Sequence, residues 1–255
     1  MKRRLAKIHH LIEQHGPVIL KGRFDRGYCP VCRRSTLFLR KGEWLRDFYF
    51  CLWCESIPRQ RALLEVLDEQ YLDWPSFKIY ECAPAGASSW AIQTRCKKYT
   101  SSHYWEDVKP GDSKNGTRCE DLEALTFADD SFDIVITQDV FEHVLRAERG
   151  FAEIARVLRP GGAHVFTVPI YPHDKTLLRA KPSDNGIQHI ESPDYHGNPV
   201  DPNGSLVVRE WSRDIVDFIA KHSPLKTTIY SGKDYKHGID GEFLDVVVSR
   251  KSSEQ

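Results

Sequence analysis

No apolar run in this chain approaches the roughly 20 residues needed to cross a bilayer, so no segment is expected to span a membrane. A secretory leader is not expected either. Met1-Lys2-Arg3-Arg4 is basic, but Leu5-Ala6-Lys7-Ile8-His9-His10 interrupts the apolar core a leader needs, and the chain reads as cytoplasmic. Long low-complexity segments and internal repeats are missing, which excludes disorder or a solenoid as the organising feature. Net charge is missing too, because 36 Lys and Arg balance 36 Asp and Glu.

That balance hides an asymmetry. Residues 1–61 carry 14 Lys and Arg against 5 Asp and Glu, leaving 22 against 31 for the rest. A basic front can attract an anionic partner, or it can dock on the acidic body of its own chain, and both readings stay open. With 255 residues, 40% of them hydrophobic and 28% charged, the chain has room for one α/β domain and a small appendage.

The appendage announces itself in four cysteines. Cys29-Pro30-Val31-Cys32 and Cys51-Leu52-Trp53-Cys54 are C-x2-C knuckles at the spacing of a structural zinc site. Each knuckle presents two thiolates from one turn. Residues 36–39 and 47–50 read as two short strands joined at Lys41-Gly42. Disulfides are the competing reading; a reducing compartment and three further scattered cysteines favour zinc. Four ligands leave no open coordination position, so this metal holds structure. Pro58 then opens a helix whose Leu63, Leu64 and Leu67 face a core, with Arg59 and Arg61 set between ribbon and body as candidates to clamp an anion.

From Lys78 onward, short apolar runs alternate with helical stretches, the pattern of a parallel sheet covered by helices. Strands are expected at 78–83, 98–102, 118–120, 132–137 and 162–168, helices near 88–96 and 149–158, and a closing hairpin of strands at 226–231 and 243–250. Ligands of such sheets sit at the carboxyl ends of the strands. There the chain places Glu81 and the small-residue turn Cys82-Ala83-Pro84-Ala85-Gly86-Ala87, then Asp121, then Asp139-Val140-Phe141-Glu142-His143-Val144.

Together with Leu125-Thr126-Phe127 through Ser131-Phe132-Asp133 and Leu158-Arg159-Pro160-Gly161-Gly162, these residues resemble the class I S-adenosylmethionine-dependent methyltransferases over about residues 78–170. The paired knuckles resemble a bacterial subgroup with an N-terminal C-x2-C pair. The resemblance implies a doubly wound, seven-stranded, Rossmann-like α/β sheet over residues 62–255, preceded by the basic segment and ribbon of residues 1–61. It also implies cofactor contacts from Glu81, Ala83, Ala85 and Gly86 to the methionine part, from Ser102 or His103 to the ribose, and from Asp121 and Leu122 to the adenine, with Gln138 and Asp139 completing the shell. Two departures stand out. The turn keeps a single glycine, Gly86, and alanine carries a backbone cost wherever φ is positive. The second strand ends without a carboxylate, leaving the ribose to Ser102, His103 or water, with Asp107 more distant.

Methyl transfer from a reactive donor asks the protein to align the acceptor, exclude water and, for a hydroxyl, remove a proton. His143, just past the fourth strand tip, is the leading base; capping of the next helix is its structural alternative. Residues 170–211 read as a polar, loop-rich, substrate-side insertion, and its His189 and His196 are rival bases. The acceptor suggested is the hydroxyl or amine of a polar small molecule or glycan. The alternatives are a ribosomal or transfer RNA gripped by the basic ribbon, or a non-catalytic interaction protein.

Overall fold

The structure is a computed structural model that describes residues 23–198 and 200–253. The basic run at residues 1–4, and Pro199 at the end of the Asp194-Tyr195-His196-Gly197-Asn198-Pro199 run, lie outside the described residues.

The ribbon comes first, with β1 (Arg23–Cys29), β2 (Arg34–Arg40), a single helical turn α1 (Leu45–Phe48) and β3 (Tyr49–Cys51). Both β1 and β3 pair antiparallel with β2. Two details correct the sequence reading. Asp47 and Phe48 belong to α1, so the last ribbon strand starts only at Tyr49, and β1 is an extra strand ahead of the first knuckle. Helix α2 (Pro58–Gln70) follows, and it runs straight across the division expected between residues 61 and 62.

The body continues with β4 (Lys78–Cys82), α3 (Gly86–Arg95), β5 (Lys98–His103), β6 (Ser113–Lys114), β7 (Thr117–Cys119), β8 (Phe132–Gln138), α4 (Ala147–Val157) and β9 (Leu158–Thr167). An insertion holds β10 (Leu177–Leu178), β11 (Ala180–Ser183), β12 (Gly186–His189), β13 (Tyr195–His196), β14 (Ser205–Leu206) and β15 (Arg209–Glu210). Helix α5 (Ile215–His222) and strands β16 (Lys226–Tyr230) and β17 (Val246–Arg250) close the chain.

The main sheet runs in the order β16-β17-β9-β8-β4-β5-β7-β6, seven strands plus the two-residue edge strand β6. Strands β4, β5, β7, β8 and β9 are parallel, whereas β17 is antiparallel to both β9 and β16. Strand β9 starts four residues before the expected position. The Arg159-Pro160-Gly161-Gly162 run joins the edge of β8 through an irregularity between Phe132 and Ile134.

Period-two alternation along each strand sends neighbouring side chains to opposite faces, and the two faces feed two cores. Ile79, Ile134, Ile136, Val165 and Val248 pack with α2, α3 and the ribbon residues Val31, Phe38 and Tyr49. Tyr80, Val135, Phe166 and Val247 pack with α4, α5 and Trp211. The ribbon therefore shares a core with one face of the sheet. Strand order reverses between β4 and its neighbours β8 and β5, and the carboxyl ends of these strands form the crevice where such sheets take ligands.

Candidate active site and metal centre

The four ribbon cysteines converge. Cys29 Sγ lies 3.7 Å from Cys54 Sγ, and Cys32 Sγ lies 3.8 Å from Cys51 Sγ. Tetrahedral zinc with bonds of about 2.3 Å would set its sulfurs about 3.8 Å apart, so the spacing suits a metal, and all four are free thiols rather than disulfides. The knuckles are built alike. Arg33 N–H donates to the Cys29 carbonyl (2.7 Å) and Glu55 N–H to the Cys51 carbonyl (2.8 Å), and Arg33 and Glu55 both take left-handed backbone, at φ 54° and 60°.

Arg61 is fully buried beside this site. Its guanidinium donates to the carbonyls of Tyr49 (2.8 Å), Ser56 and Gly238 (2.6 Å) and lies over the rings of Phe38 and Tyr49. Burial pulls its pKa down to about 10 while Cys29 and Cys51 pull the other way, so it remains a cation at neutral pH. A buried cation of this kind suits a cluster of thiolates.

At the strand tips the expected cofactor residues divide into two groups. Glu81 is fully buried, and its carboxylate accepts from the hydroxyls of Ser89 (2.5 Å) and Tyr99 (2.7 Å) and from Gln138 Nε2 (2.7 Å). Burial raises its pKa, with those three donors opposing the rise. Glu81 thus has three donors inside the protein and ties the turn to β5 and β8. The Ala85 N–H donates to Ser89 Oγ (2.9 Å), and Ser88 donates to Gln138 Oε1 (2.7 Å), so Gln138 is likewise a brace. Ser102 is also withdrawn, since it is fully buried and its hydroxyl is bonded to Tyr80 OH at 2.7 Å.

What stays open is the turn itself. Ala85 and Gly86 are exposed, Ala83 holds φ 54° and Gly86 φ 73°, and helix α3 begins at Gly86 with its first-turn N–H groups at the crevice. His103, half-buried at the tip of β5, has its ring beside that of Trp105 at 5.7 Å, with burial lowering its pKa. Asp107 is paired with Lys114 at 2.7 Å. Asp121 accepts from Glu123 N–H (2.8 Å) in a local turn at the tip of β7, beside buried Leu122.

Asp139 is tied to the ribbon. At φ 51° on the tip of β8, its carboxylate pairs with Arg46 (2.7 Å) and Arg59 (2.9 Å), both from the ribbon side, and accepts from Thr167 Oγ1 (3.0 Å). Burial would raise its pKa, but the two guanidiniums override burial and lower it. Arg46 was not legible as a site residue, because 93 residues separate it from Asp139 and no local pattern links them.

Three residues on, Glu142 is 2% exposed, and neither carboxylate oxygen has a hydrogen-bond partner among the described residues. Burial, and then the Asp139 charge, push its carboxyl well above the ordinary glutamate range. His143 Nε2 stands 3.8 Å and His196 Nδ1 3.9 Å from Glu142 Oε1, with the two rings edge to face at 5.3 Å. Burial drops the His143 pKa to about 4. The sequence puts Glu142 in the run at this strand tip beside His143 but assigns it no role, because burial without a partner is a property of the tertiary packing.

The insertion brings His196 to this cluster. Val208 N–H donates to the Glu142 carbonyl (2.8 Å), and the His143 ring bonds to the Leu206 carbonyl (2.9 Å). Instead of loose loop, residues 177–210 form three short antiparallel ribbons, β10 with β15, β11 with β12, and β13 with β14. His189 sits on the fully exposed strand β12, outside the cluster, which removes it as a partner of His143.

Residues 85–166 match the family profile described as a methyltransferase domain. The architecture is accordingly the Rossmann-like methyltransferase fold, with a mostly parallel central sheet. Over 123 residues the chain is 30% identical to the dimethylglycine N-methyltransferase of Parasynechococcus marenigrum, covering 44% of each chain. Over 59 residues it is 39% identical to the malonyl-[acyl-carrier protein] O-methyltransferase of Methylococcus capsulatus, covering 23% of this chain and 22% of that one. It thus spans less than half the length of either curated relative. Among solved structures, the 1,6-didemethyltoxoflavin-N1-methyltransferase of Burkholderia thailandensis with bound S-adenosylhomocysteine is 13% identical at a TM-score of 0.49, covering 76% of this chain and 78% of that one. An S-adenosylmethionine-dependent methyltransferase from Mesorhizobium loti is 15% identical at 0.49, covering 74% and 98%.

Proposed function

We propose that this protein is an S-adenosylmethionine-dependent methyltransferase acting on a hydroxyl or amine of a polar small molecule or glycan, with a structural zinc held by Cys29, Cys32, Cys51 and Cys54. The observation that carries the reading is the match of residues 85–166 to a methyltransferase domain. Those residues include the open turn at Gly86 and the tips of β5, β7 and β8, on one crevice. When bound, S-adenosylmethionine supplies an activated methyl group. The backbone of Ala83, Ala85 and Gly86 would take its methionine part, His103 its ribose, and Asp121 with Leu122 its adenine.

The acceptor side is the cluster of Glu142, His143 and His196, roofed by the insertion. Of the three histidines considered as bases, His143 and His196 are the two in position to receive an acceptor proton, and the fall of the His143 pKa to about 4 leaves it neutral but a weak base. The relatives' printed names cover an amine acceptor and an acyl-carrier-protein acceptor, in keeping with a site that recognises polar groups.

The RNA alternative loses part of its support, because five arginines of the basic front are engaged within the chain, while Arg23, Arg26 and Arg34 stay exposed. Arg33 pairs with Asp68, Arg40 with Asp25 and Asp240, Arg46 with Asp139, and Arg59 with Asp47 and Asp139, while Arg61 is buried. Titration calorimetry with S-adenosylhomocysteine tests the cofactor half. Transfer of labelled methyl groups to a panel of sugars, amines, carboxylates and bulk RNA tests the acceptor half. Absence of binding at millimolar ligand would return the non-catalytic reading, and label in RNA alone would return the RNA one.

A further inference from the structure

We propose that Glu142, His143 and His196 form a second metal site, one that takes a first-row divalent transition cation and keeps coordination positions open. One donor atom from each residue lies within 4.8 Å of the other two. Independent of that proximity, the Glu142 carboxylate is buried with both oxygens unpartnered among the described residues. A buried acceptor left without a partner is destabilising, and a cation would supply the missing partner.

The His143 tautomer fits the same assignment. A carbonyl can only accept, so the 2.9 Å bond from His143 Nδ1 to the Leu206 carbonyl puts the proton on Nδ1 and leaves the Nε2 lone pair facing Glu142. Metal-bound histidines are held this way, with the second ring nitrogen donating to a carbonyl or carboxylate. Two imidazoles and one carboxylate are a donor set for zinc, cobalt, nickel or iron(II) rather than magnesium or calcium. Bonds of roughly 2.1 Å require donors about 3.4 Å apart. The observed 3.8 and 3.9 Å therefore close by about half an ångström, and His196, 37% exposed on the two-residue strand β13, is the ligand placed to move. Arg46 and Arg59 do not compete for Glu142, because Asp139 and Asp47 hold them.

Three protein ligands leave room for oxygens of an acceptor, whose hydroxyl would lose its proton more readily on the cation. That role rests on the function proposed above, and in it both imidazoles act through the cation and not as free bases. Cation uptake itself is measured without cofactor or acceptor, so a failed metal site and a failed methyltransferase reading show up separately.

The test uses the full chain as isolated, with its ribbon metal in place. It is titrated with Co2+ and followed by native mass spectrometry and by visible absorption, alongside His196→Ala and Glu142→Gln. The wild type is expected to take up one dication beyond the ribbon metal, with absorption of a nitrogen- and oxygen-ligated ion. Both variants should bind that ion more weakly by more than the roughly 10–100-fold that loss of a mere outer-shell partner costs. His196 is on the surface, so its variant stays folded even where Glu142→Gln does not. No additional ion in the wild type at millimolar Co2+, or uptake by His196→Ala equal to wild type, overturns the site.

Discussion

Arg61 offers the sharpest test of how the ribbon is joined to the body. Replacing it with methionine keeps much of the stem packed over Phe38 and Tyr49 but removes every donor to the carbonyls of Tyr49, Ser56 and Gly238. The Ser56 carbonyl keeps the Cys51 N–H at 3.0 Å, so its loss is partial. The cysteine cluster also loses the buried cation beside it. Removing one partner of a buried charged network costs about 3–5 kcal/mol, a large share of the roughly 5–15 kcal/mol that holds a domain together. For a chain of this size each kcal/mol moves Tm by about 2–4 °C, so Arg61→Met should melt about 6–20 °C below wild type. Arg61→Lys separates the two contributions: it restores the charge but not the fork that reaches three carbonyls, and should fall between the two. Thermal unfolding by circular dichroism, with and without a chelator, reads both. Arg61→Met melting within about 2 °C of wild type, with unchanged resistance to chelator, would refute the reasoning.

Cys54→Ser should lose the ribbon metal and lower Tm, since structural zinc supplies folding free energy directly; full zinc in its native mass spectrum would contradict the assignment. Asp139→Asn should destabilise at pH 7 in a way that disappears in acid. The folded pKa of Asp139 is lowered, so its contribution is present above the unfolded value of about 3.9 and is lost as pH falls through the lower folded value. Urea unfolding of both proteins at neutral and acid pH measures the gap, and a gap that persists unchanged in acid counts against the ion pairs. Gly86→Ala places a methyl 2.2 Å from Gln60 Nε2 at φ 73°, costing about 1–2 kcal/mol for the backbone alone, and calorimetry should find S-adenosylhomocysteine binding weakened. Ala83→Gly relieves φ 54° but gives up a methyl packed against the core of Tyr80 and Phe166, so stability should stay within about 1 kcal/mol of wild type; a larger loss in the melt would mean that the packing outweighs the backbone relief.

The central strands were legible because they are buried on both faces. Phe132-Asp133-Ile134-Val135-Ile136 and the run at Val246-Val247-Val248 are near-continuous apolar stretches bounded by turn residues, the mark of a parallel or central strand. Strand β1 carries no such mark. Arg23-Phe24-Asp25-Arg26 is charged and largely exposed, and only Cys29 at its end is fully buried. Strand β12 is exposed throughout and is held by pairing with β11 alone, so no hydrophobic period betrays it. The cysteine cluster was legible for the opposite reason, since each half is a local turn whose chemistry lies within four consecutive residues. For the strand-tip residues expected to meet the cofactor, the position on the strand was legible but the orientation was not. Only tertiary packing decides that Ser102 turns toward Tyr80 and Glu81 toward Tyr99, while His103 stays at the crevice.

The same packing gives the ribbon a part in the site's electrostatics. Arg46 lies in α1 and Arg59 in the first turn of α2, on either side of the second knuckle, and both reach the one carboxylate at the tip of β8. Asp139 and Glu142 are two acids three residues apart, and the Asp139 charge already raises the Glu142 pKa. With the guanidiniums in place, Asp139 is neutralised and Glu142 is left as the acid facing His143 and His196. If the knuckle opens, Arg46 and Arg59 lose their fixed positions, the two carboxylates repel one another, and the lower-cost outcome is for one of them to take up a proton. On the zinc assignment proposed above, loss of the ribbon metal would then also change the charge at the strand tips.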